Sequence, residues 1–265
     1  HPAQNKQHIQ EVSHSPVPKP PRIKPPNKLS FSQLETFQTC PLKYQFRYLY
    51  GLATPPSTAI QFGLTLHNTL RDYISTLIKG RQTSWGLLQE CYEKNWLSGA
   101  YDNPLYEKAR KEGGLATLKL FFEQQKEEKS TPAFVEKSFA ITESGFLIRG
   151  RIDRIDRLPD GTYEVIDYKT GSAWKKNEVD KDMQLTLYAL ACRDSLHLHV
   201  SRLSLYFLES NEKIATTRSS EALDTFKQDL SAMTSDLTKS DFSATPGFYC
   251  RWCEYRTICN QAEVF

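Results

Sequence analysis

Three strand-like segments in the middle of the chain constrain the fold more than any other feature. They lie at about 134–141, 146–158 and 162–169, and the turn residues 159–161 separate the last two. Segments that follow one another this closely pair as neighbours in an antiparallel meander. Because the segments on both sides have helical spacing, the sequence predicts a mixed α/β fold, with a central sheet flanked by helices.

Two short helices and one long helix are predicted before the meander. Ser32–Glu35 has the sequence of a capping box, and Pro41 suits the first turn of a second helix, so the two helices should meet at Cys40. Apolar residues at helical spacing predict a third helix over about 60–79. Residues 80–132 are predicted to form a helical insertion.

The insertion and the C-terminal third are also expected to contain regular secondary structure. Breaks in the insertion are predicted near Pro104 and at Gly113-Gly114. After the meander, the segment DMQLTLYALACRD predicts a helix, SRLSLYFLES a strand and residues 221–238 a last helix.

The first 28 residues differ in composition from the rest. They hold seven of the fourteen prolines and five Lys or Arg against one acidic residue. Such a segment cannot bury enough apolar surface to offset its chain entropy. It is therefore interpreted as a basic linker ahead of one domain over 29–265, and it suggests a further domain upstream.

The net charge and the hydropathy of the chain exclude few classes of function. The net charge of +3 and the pI near 8.4 are mildly basic, which neither requires nor excludes a nucleic-acid partner. The chain has no apolar run of about 18 residues, the length expected of a membrane span, so no membrane role is expected. Six cysteines are too few for a secreted disulfide framework in a chain of 265 residues.

An acid and a base stand close together in the strand-like segment TYEVIDYKTG. If the preceding loop has three residues, paired positions sum to 320, and Asp153 lies opposite Asp167, with Lys169 on the same face. A two-residue loop would instead pair Asp153 with Tyr168 and place the acids on opposite faces. Two adjacent carboxylates repel unless a cation lies between them, which favours Mg²⁺ or Mn²⁺ and phosphodiester hydrolysis, with Lys169 orienting the attacking water.

Four cysteines and several basic residues are further candidates. Cys250-x2-Cys253-x5-Cys259 needs a fourth ligand to complete a zinc site or a four-iron cluster, and Cys40 is the candidate, although a redox pair is an alternative. Basic residues near the proposed metal site suit phosphate contacts, or are ordinary solvated charges. They are Arg149, Arg151, Arg154, Lys175 and Lys176.

Several segments together resemble a known family. IRGRIDRID, EVIDYKTG and MQLTLYALA, in that order, are similar to the RecB-like branch of the PD-(D/E)XK nuclease superfamily. FGLTLHNTL resembles that branch's histidine motif, and SFSQLETFQTCPLKYQFRYLYGL its N-terminal helices. The resemblance extends over about 29–259, with little contribution from the insertion. It implies a restriction-endonuclease-like core.

The resemblance also implies roles for single residues. The metal ligands would be His67, Asp153, Asp167 and the main-chain carbonyl of Tyr168. The catalytic residues would be Asp153, Asp167, Lys169, Gln184 and Tyr188, the last two positioning substrate and supporting the lysine. The family's leading Pro-Asp is Ile152-Asp153 here. Relatives of the AddB type hold a 4Fe-4S cluster with one distant and three close cysteines, which implies a cluster that joins the N- and C-terminal parts.

The resulting prediction is a metal-dependent deoxyribonuclease, an end-processing exonuclease on single-stranded DNA. It would serve in DNA repair in the cytoplasm, at the nucleoid if bacterial. The chain contains no G-x-x-x-x-G-K-[ST] motif, so a UvrD-like helicase domain is expected upstream in the same polypeptide. The alternatives are a stand-alone CRISPR-type iron-sulfur exonuclease and a non-catalytic DNA-binding scaffold, which the complete Asp153, Asp167 and Lys169 set disfavours.

Overall fold

A six-stranded mixed sheet occupies the centre of the protein in the computed structural model. The structure describes residues 23–55 and 57–262, so the first 22 residues of the predicted linker lie outside the described residues. The strands are β1 (Lys28–Ser30), β2 (Thr131–Glu143), β3 (Phe146–Arg157), β4 (Tyr163–Lys169), β5 (Val200–Phe207) and β6 (Glu212–Thr216).

Helices surround this sheet. They are α1 (Phe31–Thr39), α2 (Pro41–Tyr44), α3 (Thr58–Ile78), α4 (Trp85–Asn95), α5 (Pro104–Gln125), α6 (Lys176–Val179), α7 (Met183–Ala191) and α8 (Ser220–Lys239). A π-helical turn follows α2 and another follows α7, and a 3₁₀ turn covers Phe248–Trp252. Every helix in the described ranges is too short or too polar to cross a lipid bilayer.

Strand β3 carries three neighbours, and their arrangement opens a notch in the sheet. β2 pairs with it in antiparallel orientation along one side. On the other side β1 runs parallel beside Leu147–Arg149, and β4 runs antiparallel beside Arg154–Arg157. Residues 150–153 lie between these two neighbours and, among the described strands, have no partner on that side. The backbone is therefore accessible there.

The hairpin that joins β3 to β4 has the register predicted from a three-residue loop. Arg154 pairs with Ile166 and Arg157 with Tyr163. Gly161 closes the turn with a φ of 85°, which glycine adopts without strain. Since the next pair in this register would be Asp153 and Asp167, the two acids are neighbours, and the alternative two-residue loop is wrong.

Each face of the sheet has its own core. Helices α1, α7 and α8 pack on one face through residues such as Leu34, Leu187 and Phe226. On the other face α3, α4 and α5 form a second core. Strand alternation separates the two, because Val165 belongs to the first core and Ile166 to the second. The mixed α/β fold with helices around a mixed sheet is confirmed.

Some local predictions differ from the structure. The capping box of α1 is formed by Ser30 and Gln33, not by Ser32 and Glu35. Helix α5 begins at Pro104 as predicted but continues through Gly113 and Gly114. A Cβ at Gly114 would collide with the Tyr92 hydroxyl, so this glycine permits close helix packing and does not end the helix. Strand β6 was not predicted.

Candidate active site

A cleft of about 700 Å³ opens beside the notch in the sheet. One wall is a face of α3, and the other includes the middle of β3 and the start of α1. Several predicted site residues line this cleft: His67, Arg149, Arg151, Asp153, Gln184 and Tyr188. The sheet and two helices therefore bring together residues that are far apart in the sequence.

Asp153 lies where the regular alternation of β3 breaks. Ile152 and Ile155 pack in the same core although they are three residues apart, which strict alternation does not allow. On the paired strand the residue opposite Asp153 is Glu136, whose φ of 49° is left-handed. The irregularities of β2 and β3 therefore lie opposite each other. This irregularity lets Asp153 reach the cleft.

Asp153 links three elements of the site. Its Oδ2 accepts a hydrogen bond of 3.0 Å from the Tyr168 backbone N–H and lies 3.3 Å from His67 Nδ1 on α3. Burial disfavours the charged form of His67, but its hydrogen bond to Asp153 and the charges of Asp153 and Asp167 together outweigh this effect, and its pKa is raised. The side chain of Tyr168 points into the opposite core, so only its backbone belongs to the site. The role predicted for its carbonyl oxygen stays a prediction.

Asp167 and Lys169 form the interior of the site. Lys169 Nζ lies 2.7 Å from Asp167 Oδ2, but the angle of this ion pair is poor for a hydrogen bond. Burial raises the pKa of Asp167 to about 6, against the nearby charge of Lys169. Burial also disfavours the ammonium form of Lys169, yet the Asp167 carboxylate raises its pKa. The Asp167 side chain is thus shielded from solvent, while the Lys169 side chain is 26% exposed.

A hydrogen-bonded chain supports the lysine from α7. Lys169 Nζ donates to Gln184 Oε1 at 2.7 Å, and Gln184 Nε2 donates to the Tyr188 hydroxyl at 2.7 Å. The two helical residues are four apart and share a face. Asp182 caps α7 through a hydrogen bond from Leu185 N–H, which fixes the helix start that carries Gln184. Burial raises the pKa of Tyr188 well above its usual value, so its hydroxyl stays protonated.

The donor atoms fit a hard divalent ion. Two carboxylates and an imidazole converge, and one buried carboxylate oxygen, Asp167 Oδ2, has no hydrogen bond. No three acidic, histidine or cysteine side chains in the described part of the chain already stand as a coordination group. Instead Asp153 is paired with His67, and Asp167 with Lys169.

The predicted DNA-contacting residues separate into two groups. Arg149 and Arg151 are exposed and line the cleft, while Lys175 and Lys176 are exposed around the first turn of α6. Lys176 forms an ion pair with Asp180.

The prediction for Arg154 is wrong. This residue is 1% exposed, and its guanidinium donates to both carboxylate oxygens of Asp156 at 2.6 Å and to Gln125 Oε1. In the paired part of the hairpin Arg154 lies opposite Ile166, a residue of the second core, so its side chain points into the core under α5. It has no access to DNA.

Sequence reasoning missed three polar residues of the cleft. Asn68 and Arg71 of α3 line the cleft with His67, and Arg71, four residues after His67, would have been indicated by helical spacing. Glu136 is the third, with its Oε2 3.2 Å from Arg151 Nη1. No sequence signal indicated Glu136, because its position depends on an irregularity in the strand.

The four predicted cluster cysteines line one small, mostly apolar cavity of about 20 Å³. Cys40 stands between α1 and α2, and Cys250 lies in the 3₁₀ turn near the C-terminus. All four thiols are free. The Gly247 N–H donates to Cys250 Sγ at 3.4 Å.

Protein contacts alone already tie the C-terminal segment to the N-terminal helices. The Tyr249 hydroxyl donates to the Thr39 carbonyl at 2.6 Å, and the Tyr255 hydroxyl donates to the Leu52 carbonyl at 3.0 Å. Glu254 forms an ion pair of 2.8 Å with Lys43. These contacts place the distant Cys40 beside the three C-terminal thiols.

Comparison with known proteins gives the family. Residues 28–260 match the family model of the PD-(D/E)XK nuclease superfamily. The chain is 31% identical over 219 residues to an ATP-dependent helicase/deoxyribonuclease subunit of Carboxydothermus hydrogenoformans, covering 66% of this chain and 19% of that protein. It is 30% identical over 203 residues to the protein of the same name in Clostridium perfringens, covering 60% and 17%. The chain thus spans less than a fifth of these relatives.

One solved structure shares the fold. It is described as a "putative exonuclease" from Eubacterium rectale, and it matches with a TM-score of 0.52 at 13% identity, covering 86% of this chain and 88% of that chain. This likeness concerns the fold alone. The match over residues 28–260 covers nearly the whole chain, and the chain belongs to the PD-(D/E)XK nuclease superfamily.

Proposed function

We propose that this chain is a metal-dependent nuclease domain that hydrolyses phosphodiester bonds in DNA. The observation that carries the proposal is the meeting of Asp153, Asp167 and Lys169 at one notch of the sheet, beside an open cleft. Membership of the superfamily and the names of the two curated relatives support the same chemistry.

The ligands proposed for Mg²⁺ or Mn²⁺ are His67, Asp153, Asp167 and the Tyr168 carbonyl. When bound, such an ion polarises a phosphoryl oxygen and acidifies an attacking water. The residues around it have their own tasks. Lys169 stays charged beside Asp167, so its ammonium group can orient the water and offset negative charge on the phosphorus in the transition state. Gln184 and Tyr188 hold Nζ in place.

The proposed substrate is single-stranded DNA at a strand end. Arg149 and Arg151 follow β3 towards Asp153 on the cleft side, which suits a row of phosphate contacts. Lys175 and Lys176 are proposed as further phosphate contacts outside the cleft. A helicase partner is supported by the names of the curated relatives, and the proposed place of the helicase is upstream in the same polypeptide. The proposed location is the cytoplasm, at the nucleoid if the protein is bacterial.

Degradation of end-labelled DNA with Mg²⁺ or Mn²⁺ tests the activity. Replacing Lys169 by alanine should lower the rate by about 100-fold or more, because it removes a positioned cation from the reacting centre. Lys239→Ala is the matched control and should retain most of the activity, since that lysine is exposed at the end of α8, outside the cleft. Equal rates for wild type and Lys169→Ala would refute the mechanism, and DNA binding without any hydrolysis would favour a scaffold.

The four cysteines are proposed to hold a metal centre that joins the two ends of the domain. The family resemblance implies a 4Fe-4S cluster. The four thiols line one cavity, but no three of them stand as a coordination group in the described part of the chain, so binding of either a cluster or a zinc ion requires the side chains to rearrange. Metal analysis of anaerobically purified protein decides: about four irons per chain support the cluster, and one zinc without iron excludes it.

A further inference from the structure

Two exposed apolar side chains stand on the cleft wall formed by α3. Ile60 is 58% exposed and Leu64 is 51% exposed, and both line the cleft. The apolar residues that α3 contributes to the core lie on its other face and include Phe62, Leu66 and Leu70. Packing among the residues that the structure describes therefore gives no reason for Ile60 and Leu64 to be apolar.

The two residues belong to the same helical face as the proposed metal ligand of α3. Ile60, Leu64 and His67 are separated by four and three residues, which places them in a row. The rise of a helix puts Ile60 about 10 Å from His67 along the axis. The row is thus apolar at its N-terminal end and polar where it meets Asp153.

This wall is held in a fixed position. Gln61 Nε2 donates to the Ser98 carbonyl at 2.7 Å, and Thr58 Oγ1 donates to the Ala100 carbonyl at 2.9 Å. At Gly63 the helix passes so close to Thr170 that a Cβ would lie 3.2 Å from its Oγ1. The apolar residues therefore keep their distance from the end of β4 and from the metal site.

The opposite wall has a different chemistry. Arg149 and Arg151 are exposed on the cleft side of β3 and precede Asp153 at alternate positions. A strand of DNA in the cleft would meet cations on one side and aliphatic side chains on the other. Phosphates suit the first wall and base faces the second.

We infer that Ile60 and Leu64 form a base-contacting wall that selects single-stranded over duplex DNA at this active site. The inference rests on the proposed nuclease function and assigns it two substrate-binding residues. Base faces are free only in unpaired strands, whereas a duplex stacks them inside and presents phosphates and sugars. Duplex DNA can use the arginines but gains nothing from the apolar wall.

Binding of short fluorescent DNA to the whole chain, measured by anisotropy with a chelator present, tests the inference without cleavage. The Ile60→Ser/Leu64→Ser variant should bind the single strand about tenfold more weakly, since it removes two apolar side chains that the bases would partly bury on binding. Its affinity for the blunt duplex should change by less than about twofold. The matched control is Leu105→Ser/Leu120→Ser on α5, whose side chains are 77% and 51% exposed, and it should change neither affinity.

All four side chains are exposed, so the substitutions should leave the fold intact. Thermal unfolding of each variant checks this. If the Ile60→Ser/Leu64→Ser variant loses affinity equally for single strand and duplex, or loses none, the inference is overturned. If wild type still degrades DNA in a Lys169-dependent manner, the nuclease proposal survives that result. Selective loss of single-strand binding in a protein that hydrolyses no DNA supports the base-contacting wall and overturns the nuclease proposal instead.

Discussion

Buried charged residues of β3 and β4 have different surroundings on the two faces of the sheet. Towards the α5 side, Arg154 and Asp156 are 1% and 0% exposed, and their charged atoms are hydrogen-bonded to each other and to neighbours such as Gln125 and Ser130. Towards the cleft, Asp167 is 2% exposed, but its Oδ2 has an ionic neighbour and no hydrogen bond. The hydrogen bonding of the buried Arg154–Asp156 pair is thus complete, whereas that of the Asp167–Lys169 pair is not.

The difference separates structural from functional charge. A buried ion pair with complete hydrogen bonds stabilises its own arrangement once formed, and loss of one partner is costly. A buried carboxylate oxygen without a hydrogen bond is destabilised until a ligand reaches it. The comparison therefore predicts that substitutions on the α5 side lower stability, and that substitutions on the cleft side change ligand binding and activity.

The largest effect on stability is expected from Arg154→Met. The substitution leaves the Asp156 carboxylate buried without its main partner, and should lower the free energy of unfolding by about 3 to 5 kcal/mol in urea titrations. Arg157→Met is the matched control, because Arg157 is exposed on the same strand, and should change stability by about 0.5 kcal/mol or less.

The double variant Arg154→Met/Asp156→Leu sharpens this test. Removing both charges should recover much of the loss, since an apolar pair of similar volume avoids the cost of burying charge. A loss below about 1 kcal/mol for the single variant would mean that the pair is not structural, and the contrast between the two faces would fail.

The sequence limited the register of the hairpin to two alternatives but did not give the direction of every side chain. Proline, aspartate and glycine at 159–161 predict a short turn of two or three residues, and the observed pairing of Arg154 with Ile166 is that of the three-residue loop. Arg154 was predicted to contact DNA because it follows Asp153 in the sequence. In the hairpin it lies opposite Ile166 and shares that residue's face of the sheet, which turns it away from Asp167 and Lys169.

Long-range packing accounts for the other differences. Gly114 suggests a helix end when read locally, but its neighbour in space is Tyr92 on another helix. Likewise, Ser30 and not Ser32 caps α1, because the chain leaves β1 at Ser30. The site residues His67, Gln184 and Tyr188 were predicted from the family resemblance, and the structure places each of them around Asp153 and Lys169.

A smaller effect on stability is expected from metal binding at the cleft. Mg²⁺ or Mn²⁺ at about 100 times its dissociation constant should stabilise the wild type by about 2.7 kcal/mol, visible as a higher unfolding temperature. Asp167→Asn should abolish this response because it removes a buried charged ligand. Asp229→Asn, an exposed substitution on α8, should respond like wild type. Equal stabilisation of both variants by the ion would exclude Asp167 as a ligand.

The smallest effect concerns the support of the lysine by α7. Gln184→Leu removes the acceptor 2.7 Å from Lys169 Nζ but leaves the ion pair with Asp167. Loss of one charge-assisted hydrogen bond should lower kcat for DNA hydrolysis by about tenfold, with little change in KM, because Lys169 still carries its charge but is less well oriented. The free energy of unfolding should change little, since the side chain is only partly buried.

The control for this substitution is Gln228→Leu, in which an exposed glutamine of α8 is replaced. Tyr188→Phe removes only the hydroxyl that accepts from Gln184, and its effect on kcat should be smaller than that of Gln184→Leu and in the same direction. If Gln184→Leu raises KM and leaves kcat unchanged, the glutamine contacts the substrate and does not orient the lysine. In that case Gln184 would no longer be a residue that acts through Lys169.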